Sequence, residues 1–318
     1  MSTAPHSLHR TGLRFGLACL LACSGCASLQ QQATRGIADL LTGDEVARVF
    51  LSEDDPELVR ASLPFALKTN EILLQRDPDN LALRLALARG YGAYAFLFAD
   101  AEARRLREID YAQSQAQQAR AARLYLRARD HAMHALEQRH PGLPPKLRSD
   151  PHRALRAIGT EDASLVYWAA APWAAAIRNS PQQMERLAEL PTVEAMMRRL
   201  LEVAPDYDQG AVHEFFIRFE GGRSPAMGGS PDRARHHFAE AVRLSEGRRP
   251  GPYLAIAETV AVQEQDADAF IDLLQQALAI DIQQVPEERL LNLHHQNIAR
   301  QLLTQIDHYF LLEEEIDP

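Results

Sequence analysis

Histidines are the residues of this sequence whose spacing comes closest to a metal site. His213-Glu214 begins like the helix of a zinc protease, but the second histidine of that motif is replaced by Ile217. The other grouped histidines are His131 with His134, His236 with His237, and His294 with His295. Adjacent side chains on a helix point about 100° apart and do not easily share one ion. The sequence therefore predicts structural histidines, with no metal and no cofactor.

Nucleophilic catalysis and phosphate binding have no better support. The glycines of 221–229 are neither preceded by a strand pattern nor followed by Gly-Lys-Ser/Thr, so they predict a flexible loop between helices. Ser164 and Ser224 lack the Gly-x-Ser-x-Gly context that exposes a nucleophilic serine. The sequence therefore predicts that the protein is not an enzyme.

Residues 1–25 have the features of a secretory signal. Arg10 and Arg14 precede an apolar run over 17–22 that is too short to span a membrane, and small residues follow it. The three cysteines of the chain are Cys19, Cys23 and Cys26. A chain cut before the last of them has no partner thiol for a disulfide and no cysteine nucleophile.

The segment Cys23-Ser24-Gly25-Cys26 resembles the lipobox of bacterial lipoproteins, in which a cysteine becomes the acylated first residue. Cys26 is the predicted lipidation site, Cys23 is its rival, and residues 26–36 form the predicted tether. Positions 27 and 28 are Ala and Ser rather than Asp, so nothing here resembles an inner-membrane retention signal. We therefore expect a lipid anchor in the outer membrane and a folded part that faces the periplasm.

Charge excludes one class of partner. The chain carries 34 basic and 43 acidic residues, a net charge of −9, and loss of the leader would remove two arginines and no acid. Nucleic-acid binding requires a basic footprint for the phosphates, so no nucleic-acid partner is expected. Arg120, Arg123 and Arg127 nevertheless share one helix face, which is either a solvated ion-pair face or a surface for an anionic ligand or partner.

Aromatic residues form the most distinctive group in the N-terminal two thirds of the chain. They pack in the core, or they line a concave groove for an apolar ligand or peptide. Pro172, between the two tryptophans, is expected to kink its helix and so to open such a space. The candidate lining residues are Tyr91, Tyr94, Phe98, Tyr167, Trp168, Trp173, His213 and Phe216.

Helix signals recur along the whole chain, and no segment alternates as a strand would. Ser230-Pro231-Asp232 predicts a helix start, and Gly247 predicts a left-handed end to the same helix. Ala234, Phe238 and Ala241 have the small, aromatic, small spacing of a tetratricopeptide repeat. Helices are also predicted over 81–98, before a charged segment at 99–110, and over 111–139. The predicted fold class is all-α, with irregular tetratricopeptide-like hairpins in a superhelical array.

Related helix ends recur at Pro78, Pro141 and Pro205, with 63 and 64 residues between them. These intervals exceed the roughly 34 residues of one tetratricopeptide hairpin, so the array must contain insertions. The predicted repeat domain covers 37–312, with a possible division at the proline-rich connection 141–152. An acidic tail, 313–318, follows it.

Five stretches together resemble the TatT family, the tetratricopeptide-containing lipoprotein component associated with TRAP transporters, the tripartite ATP-independent periplasmic transporters. The resemblance extends over nearly the whole chain after Cys26. The stretches are 123–136, 165–177, 190–216, 228–244 and 253–310. Pro172 departs from the small residue expected there, which puts the local shape of any channel in doubt.

The resemblance implies a periplasm-facing lipoprotein that pairs with the soluble solute-binding protein of the transporter. It also implies a homotrimer and a hydrophobic channel or cleft for an apolar or organic-acid ligand. Only Cys26 is carried over as a functional position. The alternative function is a general periplasmic adaptor for outer-membrane, cell-wall or pilus assembly, which would use the same groove for a peptide.

Overall fold

The computed structural model describes residues 36, 38 and 41–310 of the chain. The predicted signal peptide 1–25, the lipidation site Cys26, nearly all of the tether 26–36 and the acidic tail 313–318 lie outside the described residues. Within them the chain is helical and contains no strand, which confirms the all-α class. The tetratricopeptide-like superhelix stays a prediction.

The α-helices vary widely in length and are joined by short turns. They are α1 (Asp44–Leu51), α2 (Pro56–Arg76), α3 (Leu81–Tyr94), α4 (Ala101–Leu106), α5 (Tyr111–Arg139), α6 (Leu143–Ser149), α7 (Pro151–Ala154), α8 (Ala163–Arg178), α9 (Met184–Leu187), α10 (Leu190–Val203), α11 (Ala211–Gly221), α12 (Pro231–Leu244), α13 (Gly251–Ile256), α14 (Val262–Glu264), α15 (Ala267–Ala279) and α16 (Arg289–Thr304).

Side-chain caps fix many of the helix starts. The Ser230 hydroxyl accepts a hydrogen bond from the Arg233 amide, so α12 begins where the sequence predicts. At its other end Gly247 has a φ of 68°, and its amide donates to the Val242 carbonyl, as in a left-handed helix end. Asp110 caps α5 through the Gln113 amide, and that helix covers the predicted range.

Two π-helices interrupt the α-helical pattern. The first π-helix, Ala95–Asp100, joins α3 to α4, and the second, Ala257–Ala261, joins α13 to α14. Helical structure therefore runs on past Phe98 to Leu106, into the stretch that the sequence marks only as charged. A π-helix accommodates an extra residue in a continuous helix, and no residue type signals it.

The proline-rich connection is also helical. Pro144, Pro145 and Pro151 fall in the first turns of α6 and α7, where a missing amide hydrogen costs nothing, and Pro141 precedes α6. Leu143 and Leu147 of α6 are each 2% exposed and belong to the same hydrophobic cluster as Leu136 of α5 and Val166 of α8. One core therefore runs across this segment.

Helix α5 lies at the centre of the N-terminal half and packs most extensively on α3 and α8. Its facing positions are small: Ala121, Ala128, Ala132 and Ala135 are buried. Small side chains let the neighbouring helices approach closely. The opposite face of α5 presents its arginines to solvent.

The last long helix returns to the first ones. Leu290 of α16 is 2% exposed and packs in one cluster with Val59 and Leu63 of α2. Arg289 also donates to the Ser52 carbonyl across 3.2 Å. No helix within the described ranges is both long and apolar enough to cross a bilayer.

Candidate functional site: an arginine face with an aromatic floor

The exposed face of α5 carries arginines that lie on aromatic rings of α3. The Arg127 guanidinium is 5.0 Å from the centre of the Tyr91 ring and donates to its hydroxyl at 3.2 Å. Two helical turns earlier in α5, the Arg120 guanidinium lies 5.5 Å from the centre of the Tyr94 ring. Such contacts hold a cation in place while its remaining N–H groups stay available to a ligand.

Arg123, between these two, is exposed and has no hydrogen bond or ion pair to any described residue. It borders an open cleft of about 320 Å³ between α3 and α5. The cleft is lined by Arg84, Arg123, Leu126, Arg127, Asp130, His131 and His134. Asp130 is paired with Arg129 at 2.7 Å, so the arginines dominate the charge of the cleft.

His131 supplies a neutral polar group to the same cleft. Burial, helped by the charge of Arg84, lowers its pKa from 6.5 to about 4, so the imidazole is uncharged at neutral pH. The ring stacks parallel to Tyr91 with 6.0 Å between centres. The cleft can therefore offer both cationic and neutral hydrogen-bonding groups to an anion.

Tyr91, which lies beneath Arg127, is held in place by residues of α2. The Tyr91 hydroxyl donates to the Glu71 carboxylate of α2 at 2.7 Å, and Lys68 contacts the same carboxylate at 2.6 Å. Burial, together with Glu71, raises the pKa of Tyr91, so the phenol stays protonated. Phe98, 3% exposed, is part of the same hydrophobic cluster.

The other predicted aromatic residues of this region, Tyr167, Trp168 and Trp173, lie on α8. Trp168 of α8 packs on Gly92, where a β-carbon would come within 2.8 Å of the indole. Tyr167 is tilted against Tyr207 at 5.2 Å, and the Trp173 indole N–H donates to Glu189 at 2.6 Å. The predicted aromatic residues of α3 and α8 therefore form two separate groups, one beneath the arginines of α5 and one on α8. Their role as a groove lining stays a prediction.

His213 and Phe216 belong to a third location, between α11 and α12. The Nδ1 atoms of His213 and His237 are 3.0 Å apart, and Phe216 stacks on the His237 ring. Phe216 is completely buried. Among the described residues no group of three or more His, Cys, Asp and Glu side chains is arranged to hold a metal ion.

The charged cluster around Glu258 was not identified by the sequence analysis. Glu258, in the second π-helix, lies between Arg104 of α4 and Arg218 of α11. These residues are far apart in the chain, so no spacing rule could join them. The one available signal is that Glu258 is the only charged residue in the otherwise apolar stretch 253–262.

An all-α stack with an arginine-lined cleft is an architecture suited to binding a ligand or a partner protein. The profile of the TRAP transporter T-component family matches residues 52–310, and the chain belongs to this family. The family is one of transporter components, not of enzymes.

An uncharacterized protein of Treponema pallidum (strain Nichols) is similar along almost its whole length. It is 28% identical over 313 residues, which cover 93% of this chain and 97% of that protein.

Proposed function

We propose that this T-component is a periplasm-facing lipoprotein of the outer membrane that docks the solute-binding protein of a TRAP system. In the same proposal it assembles as a homotrimer and passes a hydrophobic or organic-acid ligand to or from that partner. Family membership supports the association with TRAP transport. The arginine face of α5 is the observation that carries the docking step.

That face differs in charge from the molecule as a whole. The chain has a net charge of −9, yet Arg120, Arg123 and Arg127 lie exposed along one side of α5. Exposed like charges on one face steer and orient an oppositely charged partner. We therefore place an acidic surface of the solute-binding protein against α5.

The cleft next to these arginines suits the ligand class. Arginine binds carboxylates through paired N–H donors, and Leu126 adds an apolar wall. A solute-binding protein docked on α5 would bring its ligand to this opening. Transfer of an organic acid between the two proteins then requires no covalent reaction. It requires only that the protein that gives up the ligand binds it less tightly than the protein that receives it.

The test is an affinity purification of the tagged, lipidated protein from its native envelope, followed by mass spectrometry. The variant is Arg120→Glu with Arg123→Glu. The matched control is Arg235→Glu with Arg243→Glu, which reverses two exposed charges on α12 instead. We expect a TRAP-type solute-binding protein with the wild type and the control, and at least tenfold less of it with the α5 variant.

Two outcomes would contradict the proposal in different ways. Equal recovery with the α5 variant would remove the docking face but leave the function. Recovery of outer-membrane, cell-wall or pilus assembly proteins in place of a solute-binding protein would replace the function by that of a general adaptor.

A further inference from the structure

In the interior of the protein, the carboxylate of Glu258 lies between the guanidinium groups of Arg104 and Arg218. Glu258 accepts a hydrogen bond from Arg104 at 2.6 Å on one oxygen and from Arg218 at 2.8 Å on the other. The side chains of Glu258, Arg104 and Arg218 are 14%, 26% and 31% exposed. This triad is therefore deep in the fold yet still reached by solvent.

The triad carries more positive charge and more donors than the protein uses. Each guanidinium has five N–H groups, and each donates only one hydrogen bond to the described residues. Glu214, one turn before Arg218 on α11, makes no hydrogen bond to the described residues, and burial raises its pKa, which favours its neutral form. The triad of two arginines and one carboxylate therefore carries a net charge of +1.

The neighbouring acid does not compensate this charge. Asp100, at the end of the first π-helix, is already bound by Arg178 and by the Tyr125 hydroxyl at 3.1 Å. Its carboxylate is therefore committed to other partners. The N–H groups that Arg104 and Arg218 do not use remain available to an anion from outside the chain.

Two imidazoles near the triad have polar atoms without partners. Nδ1 of His295 and Nε2 of His294 are buried and form no hydrogen bond to the described residues. His295 is only 5% exposed. These buried atoms are therefore available to a hydrogen-bonding partner from outside the described residues.

An aromatic ring of the first π-helix contacts both imidazoles. Phe96 of the first π-helix lies 4.7 Å from the His294 ring and 5.6 Å from the His295 ring. Arg104 follows this π-helix, and Glu258 lies in the second one. Single π-helical turns inside α-helices occur frequently at functional sites.

We propose that Arg104, Arg218, His294 and His295 form a binding site for a small monocarboxylate with an apolar body. The ligand carboxylate accepts hydrogen bonds from those N–H groups of Arg104 and Arg218 that Glu258 does not use, and from an imidazole N–H. The apolar part of the ligand lies against Phe96. Glu258 occupies the two arginines in the free protein and competes with the ligand. This inference narrows the ligand of the proposed function to a monocarboxylate, and in that respect it rests on the proposed function.

The test is calorimetric titration of the full-length protein, solubilised in detergent, with benzoate. Benzamide, which has the same shape without the charge, is the control ligand. We expect benzoate to bind at least about tenfold more tightly than benzamide, because a charge-assisted hydrogen bond contributes about 1.5–3 kcal/mol. Equal affinities would overturn the proposal.

Two variants separate this site from other arginines. Glu258→Gln removes the competing anion and should strengthen benzoate binding about tenfold, whereas Arg218→Gln should weaken it about tenfold. Glu264→Gln, which breaks the surface pair with Arg235, is the matched control and should change nothing. If neither interior variant changes the affinity, the ligand binds elsewhere and the proposal is wrong.

A measurement on the unmodified protein avoids any folding defect of the variants. Saturation with benzoate should shift the imidazole Cε1–H signals of His294 and His295 and leave that of the exposed His308 in place. No shift at either buried histidine would refute the site. The partner protein is absent from these titrations, so a failure to bind benzoate would not contradict docking. Failure of the affinity purification would likewise leave the benzoate site untouched.

Discussion

Acid should destabilise this protein through the buried pair His213 and His237. Their Nδ1 atoms are 3.0 Å apart, and the two side chains are 6% and 8% exposed. One Nδ1 donates and the other accepts, so a second proton would place two donors face to face. Phe216, stacked 5.0 Å from the His237 ring, leaves no room for a rearrangement without disturbing the core.

The size of the effect follows from the pKa of His237, which burial, assisted by His213, lowers from 6.5 to about 4. The unfolded chain takes up this proton near pH 6.5 and the folded chain only near pH 4. Between these values the unfolded state binds more protons, so stability is fully present above pH 6.5 and is lost as the pH falls. Linkage gives a loss of about 1 kcal/mol at pH 5.5 and about 3 kcal/mol well below pH 4.

The assay is urea unfolding of the wild type and of His237→Asn at pH 7.5 and pH 5.5. The wild type should lose about 1 kcal/mol more than the variant between the two pH values. His308→Asn, which removes an exposed histidine, should behave like the wild type. The same loss in wild type and His237→Asn would show that this pair does not couple folding to pH in this range.

Three further perturbations test the packing, a cap and the anchor. The β-carbon of Gly92→Ala would lie 2.8 Å from the Trp168 indole, so this variant should lose about 1–3 kcal/mol of unfolding free energy and melt at a lower temperature. A variant as stable as wild type would refute the close packing. Ser230→Ala should cost about 1 kcal/mol in urea unfolding because the Arg233 amide loses its acceptor; an unchanged midpoint would show that the cap does not contribute. Cys26→Ser should leave the protein unprocessed or soluble in detergent partitioning, and normal cleavage with partitioning into detergent would exclude Cys26 as the lipidation site.

Local signals explain what the sequence predicts well. Helix α5 begins at its Asp110 cap and ends before His140-Pro141, so nearby residues decide both ends. The start of α12 at Ser230 is equally local. Such boundaries depend on one or two hydrogen bonds within a few residues, which the chain carries with it into any fold.

The unpredicted features depend on distant residues. The first π-helix has ordinary α-helical neighbours, and its extra residue is accommodated by packing rather than by composition. Helix α6 forms in a proline-rich stretch because the buried Leu143 and Leu147 attach it to the core. In the candidate site, the sequence predicts the arginine row of α5 from helical spacing. It cannot show that Tyr91 and Tyr94 lie beneath that row, or that Arg104, Arg218 and Glu258 meet.

The return of α16 to α2 limits how this architecture can change. In an open array each unit contacts only its neighbours, so units can be gained or lost while the rest keeps its stability. Here Leu290 fills a core to which Val59 and Leu63 also belong, so removal of one hairpin would leave that core unsealed. This contact constrains the number of helices between α2 and α16, so we expect relatives to differ in the loops between these helices rather than in how many there are.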